Sequence, residues 1–201
     1  MPRSKAFEEK LVLEKARDLF WERGYAATSI QDLEKATGIR RSSIYNAFGG
    51  KRELFNRTLK AYQSFNQDVL QKFLSTATLL RPALIELFER IIGLPVAERK
   101  GCYVVNATTE LAAVDAEVLR FAAENRMMFT SLLKSALGDA LHRGEIKADS
   151  DLEAQANYLF VWYNGLQVAS QTGMPGNELR KAVKLAIAGL EWEVNDRKEE
   201  C

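Results

Sequence analysis

Histidine appears once in this 201-residue chain, cysteine twice and proline four times, and each scarcity closes off a class of chemistry. The single histidine, His142, stands beside a polar helix stop and reads as solvent-facing rather than as a catalytic base. No metal-ligand cluster, serine-nucleophile elbow or phosphate-cradling glycine loop is spelled out, so the sequence predicts neither an enzyme nor a bound metal or cofactor. Catalysis by carboxylates without a cofactor is the enzymatic alternative that stays open. Cys102 and Cys201 do not form a disulfide framework, and the opening MPRSKAFEEK is charged rather than an apolar leader. The longest run of bulky apolar residues, Tyr158 to Tyr163, is far shorter than the roughly 20 residues that cross a bilayer. A soluble cytoplasmic protein without a membrane partner is expected.

What is present is helix-forming material. The chain is 47% hydrophobic and 27% charged, enough to bury a sizeable core in one or two small domains. Its net charge of +1 conceals a division: residues 1–61 carry 13 Lys/Arg against 8 Asp/Glu, or +5, leaving 15 against 19, or −4, for the remainder. A basic end of this kind suits a polyanion.

Inside the basic end lies TSIQDLEKATGIRRSSIYNAF, residues 28–48. Thr28 and Gln31 have the spacing of a capping box, Ile30, Leu33 and Ala36 share a helical face, and Gly38 stands where a left-handed residue ends the helix. A second helix from about Arg41 to Ala47 turns Ile44, Ala47 and Phe48 to one side. Ser42, Ser43, Tyr45 and Asn46 face the other. That face is small, free of acid and preceded by Arg40 and Arg41, which suits a major groove where arginine reads guanine and asparagine reads adenine.

The segment from Thr28 to Phe48, with Lys51 and Leu54 after it and the amphipathic Val12–Tyr25 before it, resembles the DNA-binding domain of the tetracycline-repressor (TetR) family. The Ile44, Tyr45 and Phe48 ending belongs to that likeness. Two positions depart from the family pattern: Arg40 stands where serine or threonine often caps the recognition helix, and Asn46 where histidine often follows the tyrosine. The resemblance implies an all-α protein, with a three-helix helix-turn-helix domain over residues 1–50 and a helical effector-binding and dimerisation domain over 51–201. It implies a homodimeric repressor on double-stranded operator DNA. Arg41, Ser43 and Asn46 are assigned to bases, Ser29, Tyr45 and Lys51 to phosphates, Arg40 to either, with Thr28 and Ser42 on the same contact surface. Arg3 and Lys5 form a basic arm or a frayed terminus.

The remaining helices follow from period and punctuation. Helix one is expected over Lys5–Arg23. A long helix opens at Lys51 with Leu54, Phe55, Thr58, Tyr62, Phe65, Val69 and Phe73 on one side. Others are expected at Arg81–Ile92, from a cap at Asp115 to Arg143, from Ser150 or Asp151 onward, and after a cap at Asn177. The last two are the candidate dimer interface.

The family likeness also implies an effector pocket. By residue type its candidates are Cys102, Tyr103, Asn106, Glu110, Phe129, Tyr158 and Trp162, joined by Met127 and Gln167. Cys102 follows Gly101 at a helix start with Arg99 and Lys100 before it, a setting that favours thiolate and hence oxidant or electrophile sensing. The plain alternative is a small buried residue filling a gap. A helical interaction module that no longer binds DNA is the third functional class; the cations around the recognition helix argue against it.

Overall fold

A computed structural model describes the backbone of residues 2–193 and side chains from residue 9; the side chains of Arg3 and Lys5, and Cys201, lie outside the described residues. Within them the chain forms α1 (Pro2–Arg23), α2 (Ile30–Thr37), α3 (Arg41–Phe48), α4 (Lys51–Ser75), α5 (Leu80–Ile92), α6 (Tyr103–Leu111), α7 (Ala116–His142), α8 (Leu152–Ser170) and α9 (Gly176–Ala188). A 3-10 turn at Val96–Glu98 precedes α6, and one antiparallel bridge pairs Ile146 with Trp192. The fold is all-helical, as expected for a chain with so few breakers.

The residues pack as two units, with the divisions falling inside α4 and α7. The first holds everything to Asn66 together with Cys102–Ala123; the second holds Gln67–Gly101 and the residues from Glu124 onward. The first unit therefore includes α6, which a boundary at residue 50 assigns to the other domain.

Its core is built from Val12, Ala16 and Phe20 of α1, Leu33 of α2, Ile44 and Phe48 of α3, Leu54, Phe55 and Leu59 of α4, and Tyr103, Val104 and Ala107 of α6. These positions recur at three or four residues, the spacing that stacks side chains along one helical face. Only Ile44 and Phe48 of α3 are buried. Ala47, expected on the buried side, is exposed, because an eight-residue helix lying on its support along one edge buries just two positions a turn apart.

Thr28 is not the cap of α2. Ser29 is, accepting from the Asp32 amide while the Asp32 carboxylate accepts from the Ser29 amide, so the capping box sits one residue later and uses Asp32 rather than Gln31. Gly38 ends α2 at φ 78°, its N–H donating to Glu34 O, as the spacing predicts. On α4, Phe65 and Val69 are 65% and 40% exposed, so the expected apolar stripe does not stay buried to the helix end.

The second unit packs α5, α8, α9 and the later part of α7 around Leu84, Phe88, Leu133, Leu137, Leu159, Val183 and Ile187. Asp115 accepts from the amides of Glu117 and Val118 at the start of α7, and Asp151 caps α8 through the Ala154 amide. The cap of α9 is Pro175 rather than Asn177, since proline's fixed φ suits a helix entry one residue before Gly176.

Candidate nucleic-acid interface

The outward face of α3 consists of Arg41, Ser42, Ser43, Tyr45, Asn46 and Ala47, all exposed, with Arg40 exposed just before it. Arg40 occupies the N-cap but makes no side-chain capping bond. The orphan N–H of Arg41 donates instead to the carboxylate of Glu34, reaching across from α2. This acid at the end of one helix supplies the cap that the other lacks, and its negative charge sits at the positive end of the α3 dipole. Nothing local in the sequence points to it, because Glu34 reads as ordinary polar surface of α2.

Arg41 stacks its guanidinium 5.6 Å from the Tyr45 ring centroid, which holds two groups of the contact face in a fixed relation. Lys51, at the first turn of α4, lies 4.3 Å from the Tyr25 ring centroid. Burial pulls its ammonium below the usual lysine range, and the charge of Glu110 opposes that pull. Thr28 does not belong on this surface: it is 1% exposed and its hydroxyl donates to Gly24 O at 2.6 Å. Ser29 is exposed, but its amide and hydroxyl are already engaged by Asp32.

Behind this face stands an aromatic cluster. Phe55 lies 5.2 Å from Phe20, 4.8 Å from Tyr25 and 6.2 Å from Tyr103, ring centre to ring centre. Tyr103 is also 5.9 Å from Trp21 and 5.6 Å from Tyr62, and its hydroxyl shares a 2.9 Å hydrogen bond with Thr58. Burial pushes its phenol pKa up. Arg52 forks onto Asp115, with a second contact to Glu117 at 2.9 Å. That pairing holds the Asp115 carboxyl down at about 2.

The effector candidates divide between the units, with Met127 and Gln167 in the second. Cys102, Tyr103, Asn106 and Glu110 lie in the first, and Phe129, Tyr158 and Trp162 in the second. Tyr103 and Glu110 are committed to the helix-turn-helix support, through the aromatic cluster and through the amides of Tyr25 and Ala26. Phe129 packs 4.8 Å from Tyr163 and 5.7 Å from Phe160. Tyr158 donates to Ala186 O at 3.1 Å, and its ring lies 6.4 Å from that of Trp162.

Cys102 departs from the expected thiolate. It occupies the N-cap of α6 without a side-chain capping bond; the Val104 and Val105 amides and the Tyr62 hydroxyl favour the charged form, yet burial outweighs them and pushes the thiol up. Arg99, expected to help, spends its guanidinium on the carbonyls of Leu94, Met174 and Ile92. His142 is exposed and its Nδ1 bonds Gly138 O. Among the described residues no group of three or more metal-binding side chains gathers, and no helix is long and apolar enough to cross a membrane.

An exposed cationic recognition helix on a three-helix support defines a helix-turn-helix transcription regulator. Residues 12–58 match the model of bacterial regulatory proteins of the tetR family, and residues 81–186 that of the tetracyclin repressor-like C-terminal domain. The chain belongs to the TetR family and is a DNA-binding transcriptional regulator. It is 33% identical over 162 residues to the uncharacterized HTH-type transcriptional regulator YezE of Bacillus subtilis, covering 79% of this chain and 84% of that one. It is 27% identical over 187 residues to the HTH-type transcriptional repressor ComR of Escherichia coli, covering 92% and 88%. The solved structure of a cysteine mutant of the TetR-family regulator CifR, bound to 26-bp operator DNA, superposes with TM-score 0.79 at 28% identity, covering 90% of this chain and 95% of that one.

Proposed function

We propose that the protein is a cytoplasmic, non-enzymatic homodimeric repressor that a small-molecule effector releases from its operator. The observation that carries the DNA-binding part is the exposed, acid-free face of α3 with Arg40 and Arg41 at its entry and Lys51 beyond its exit. In this reading residues 1–50, joined by Lys51, meet DNA, and the domain over 51–201 otherwise senses and dimerises. Arg41, Ser43 and Asn46 read base edges, Ser42 lines the same face, Tyr45 and Lys51 hold phosphates, and Arg40 serves either purpose. Ser29 contributes chiefly as the cap of α2. A twofold dimer places two recognition helices in successive major grooves about 34–36 Å apart.

Dimerisation is supported by apolar residues left outward on α8 and α9: Val161, Val168 and Leu185 are 66%, 47% and 74% exposed. Two such helices and their symmetry copies make a four-helix bundle. The ligand, with walls drawn from Phe129, Tyr158 and Trp162, lowers DNA affinity by favouring a spacing of the recognition helices that does not match the grooves. Sensing through Cys102 is a separate arm that the upward push on its thiol does not favour. It fails if Cys102→Ser is released from DNA with the same dose response to every oxidant and electrophile tried.

Selection of duplexes from a random library by the purified protein, repeated with candidate effectors, tests the whole reading. Asn46→Ala is expected to relax preference at one or two base positions, with a cost of about 1–3 kcal/mol on the preferred sequence. Lys51→Ala is expected to weaken all sequences alike. Equal losses on selected and random DNA for both variants contradict the assignment.

A further inference from the structure

We infer that Glu110, near the end of α6, is a positioning residue for operator recognition: its carboxylate grips the loop between α1 and α2 and thereby sets how the helix-turn-helix is presented. Both carboxylate oxygens are used. Oε2 accepts the Tyr25 N–H at 3.0 Å and Oε1 the Ala26 N–H at 2.8 Å. The loop is shaped to receive them: Gly24 has φ 80°, and a Cβ there would stand 2.9 Å from Oε2. A side chain at this position is strained by the backbone conformation and would also have to displace the carboxylate.

From this grip the geometry runs forward to the reading face. Gly24 O accepts from the buried Thr28 hydroxyl, Ser29 follows as the cap of α2, and Glu34 of α2 caps α3. It also runs sideways, because Tyr25, whose amide Glu110 holds, supports Lys51 on its ring. The loop lies in the stretch matched by the N-terminal family model, whereas Glu110 lies in the stretch matched by the C-terminal one. The C-terminal family segment therefore contributes a residue to the DNA-reading unit.

Stability alone does not account for this contact. Glu110 is exposed, and without it both loop amides are free to turn to water, so little folding energy is at stake. Its negative charge acts on Lys51 and works against phosphate binding there. A carboxylate at that place opposes affinity and favours a single loop conformation.

The inference rests on the DNA-binding reading and is tested with the full-length protein. Wild type, Glu110→Ala, Glu110→Asp and Glu110→Gln are titrated by fluorescence anisotropy against a duplex selected by wild type and against a scrambled duplex of the same length. Amide exchange over residues 24–28 and thermal melts are read in parallel. Aspartate keeps the charge but is one methylene too short; glutamine keeps the length but has a single acceptor oxygen. Expected is a loss of about fivefold or more in the selected-to-scrambled ratio for the alanine and aspartate variants, the equivalent of ~1 kcal/mol. Exchange at 24–28 should be faster, melting nearly unchanged and glutamine intermediate. Aspartate matching wild type while alanine and glutamine tighten both duplexes equally shows a charge effect only and overturns the inference. So does a large drop in melting for all three, or an unchanged ratio. Wild type that selects no duplex overturns the DNA reading as well.

Discussion

Glu34 caps a helix it does not belong to, and this decides how firmly the reading face is held. Glu34→Ala leaves the Arg41 amide without its acceptor, and the loss of a cap of this kind costs ~0.5–2 kcal/mol. Urea unfolding should show that decrease, together with weaker selection of the preferred duplex; unchanged values for both contradict the capping role. Asp115 offers a test by pH. Its carboxyl, held at about 2 by Arg52 against an ordinary 3.8, contributes stability that is complete above 3.8 and is lost as pH falls through about 2. The stability gap between wild type and Asp115→Asn should therefore close across that window; a gap independent of pH contradicts the pairing. At this scale the sequence was only partly legible. The exposed face of α3 followed from period, as did Gly38. The roles of Glu34 and Glu110 did not, because each acts on another helix and no spacing rule couples residues 7 or 84 positions apart. Thr28 and Ser29 are adjacent and equally good caps by type, so the choice between them needed the backbone. For Cys102 the sequence left two readings, a thiolate sensor and a small residue filling a gap, because proximity of cations in sequence says nothing of burial.

Among the elements, α6 shows where pattern reading stops. Its amphipathic sequence announces a helix, but its partners are α1 and α4, and the aromatic cluster they share is a contact distant in sequence. Phe55, 1% exposed at the centre of that cluster, is its most sensitive member. Phe55→Ala should lower unfolding free energy by about 3–5 kcal/mol, measured by denaturant melts; a loss below 1 kcal/mol means the cluster does not organise the support. The other helices were legible within a few residues because strong period and sharp stops coincide, as at Gly93 and Gly144. At α9 the start was displaced by two residues, from Asn177 to Pro175.

For the whole molecule, charge and exposed apolar surface assign different work to different segments. Residues 1–61 carry +5 and the rest −4, so DNA attracts one part of the chain and not the other. Dimerisation through α8 and α9 predicts that Val161→Asp with Leu185→Asp halves the mass seen by light scattering and lowers operator affinity; a dimer of unchanged mass places the interface elsewhere. The central claim, that the cationic edge of α3 and the start of α4 engage the sugar-phosphate backbone, is tested most directly by titrating a selected duplex over a range of salt. Steep weakening is predicted, with a logarithmic slope near −0.9 for each phosphate neutralised, reduced by about one such step in Lys51→Ala. Affinity that does not change with salt, or no binding to any duplex at moderate ionic strength, contradicts it.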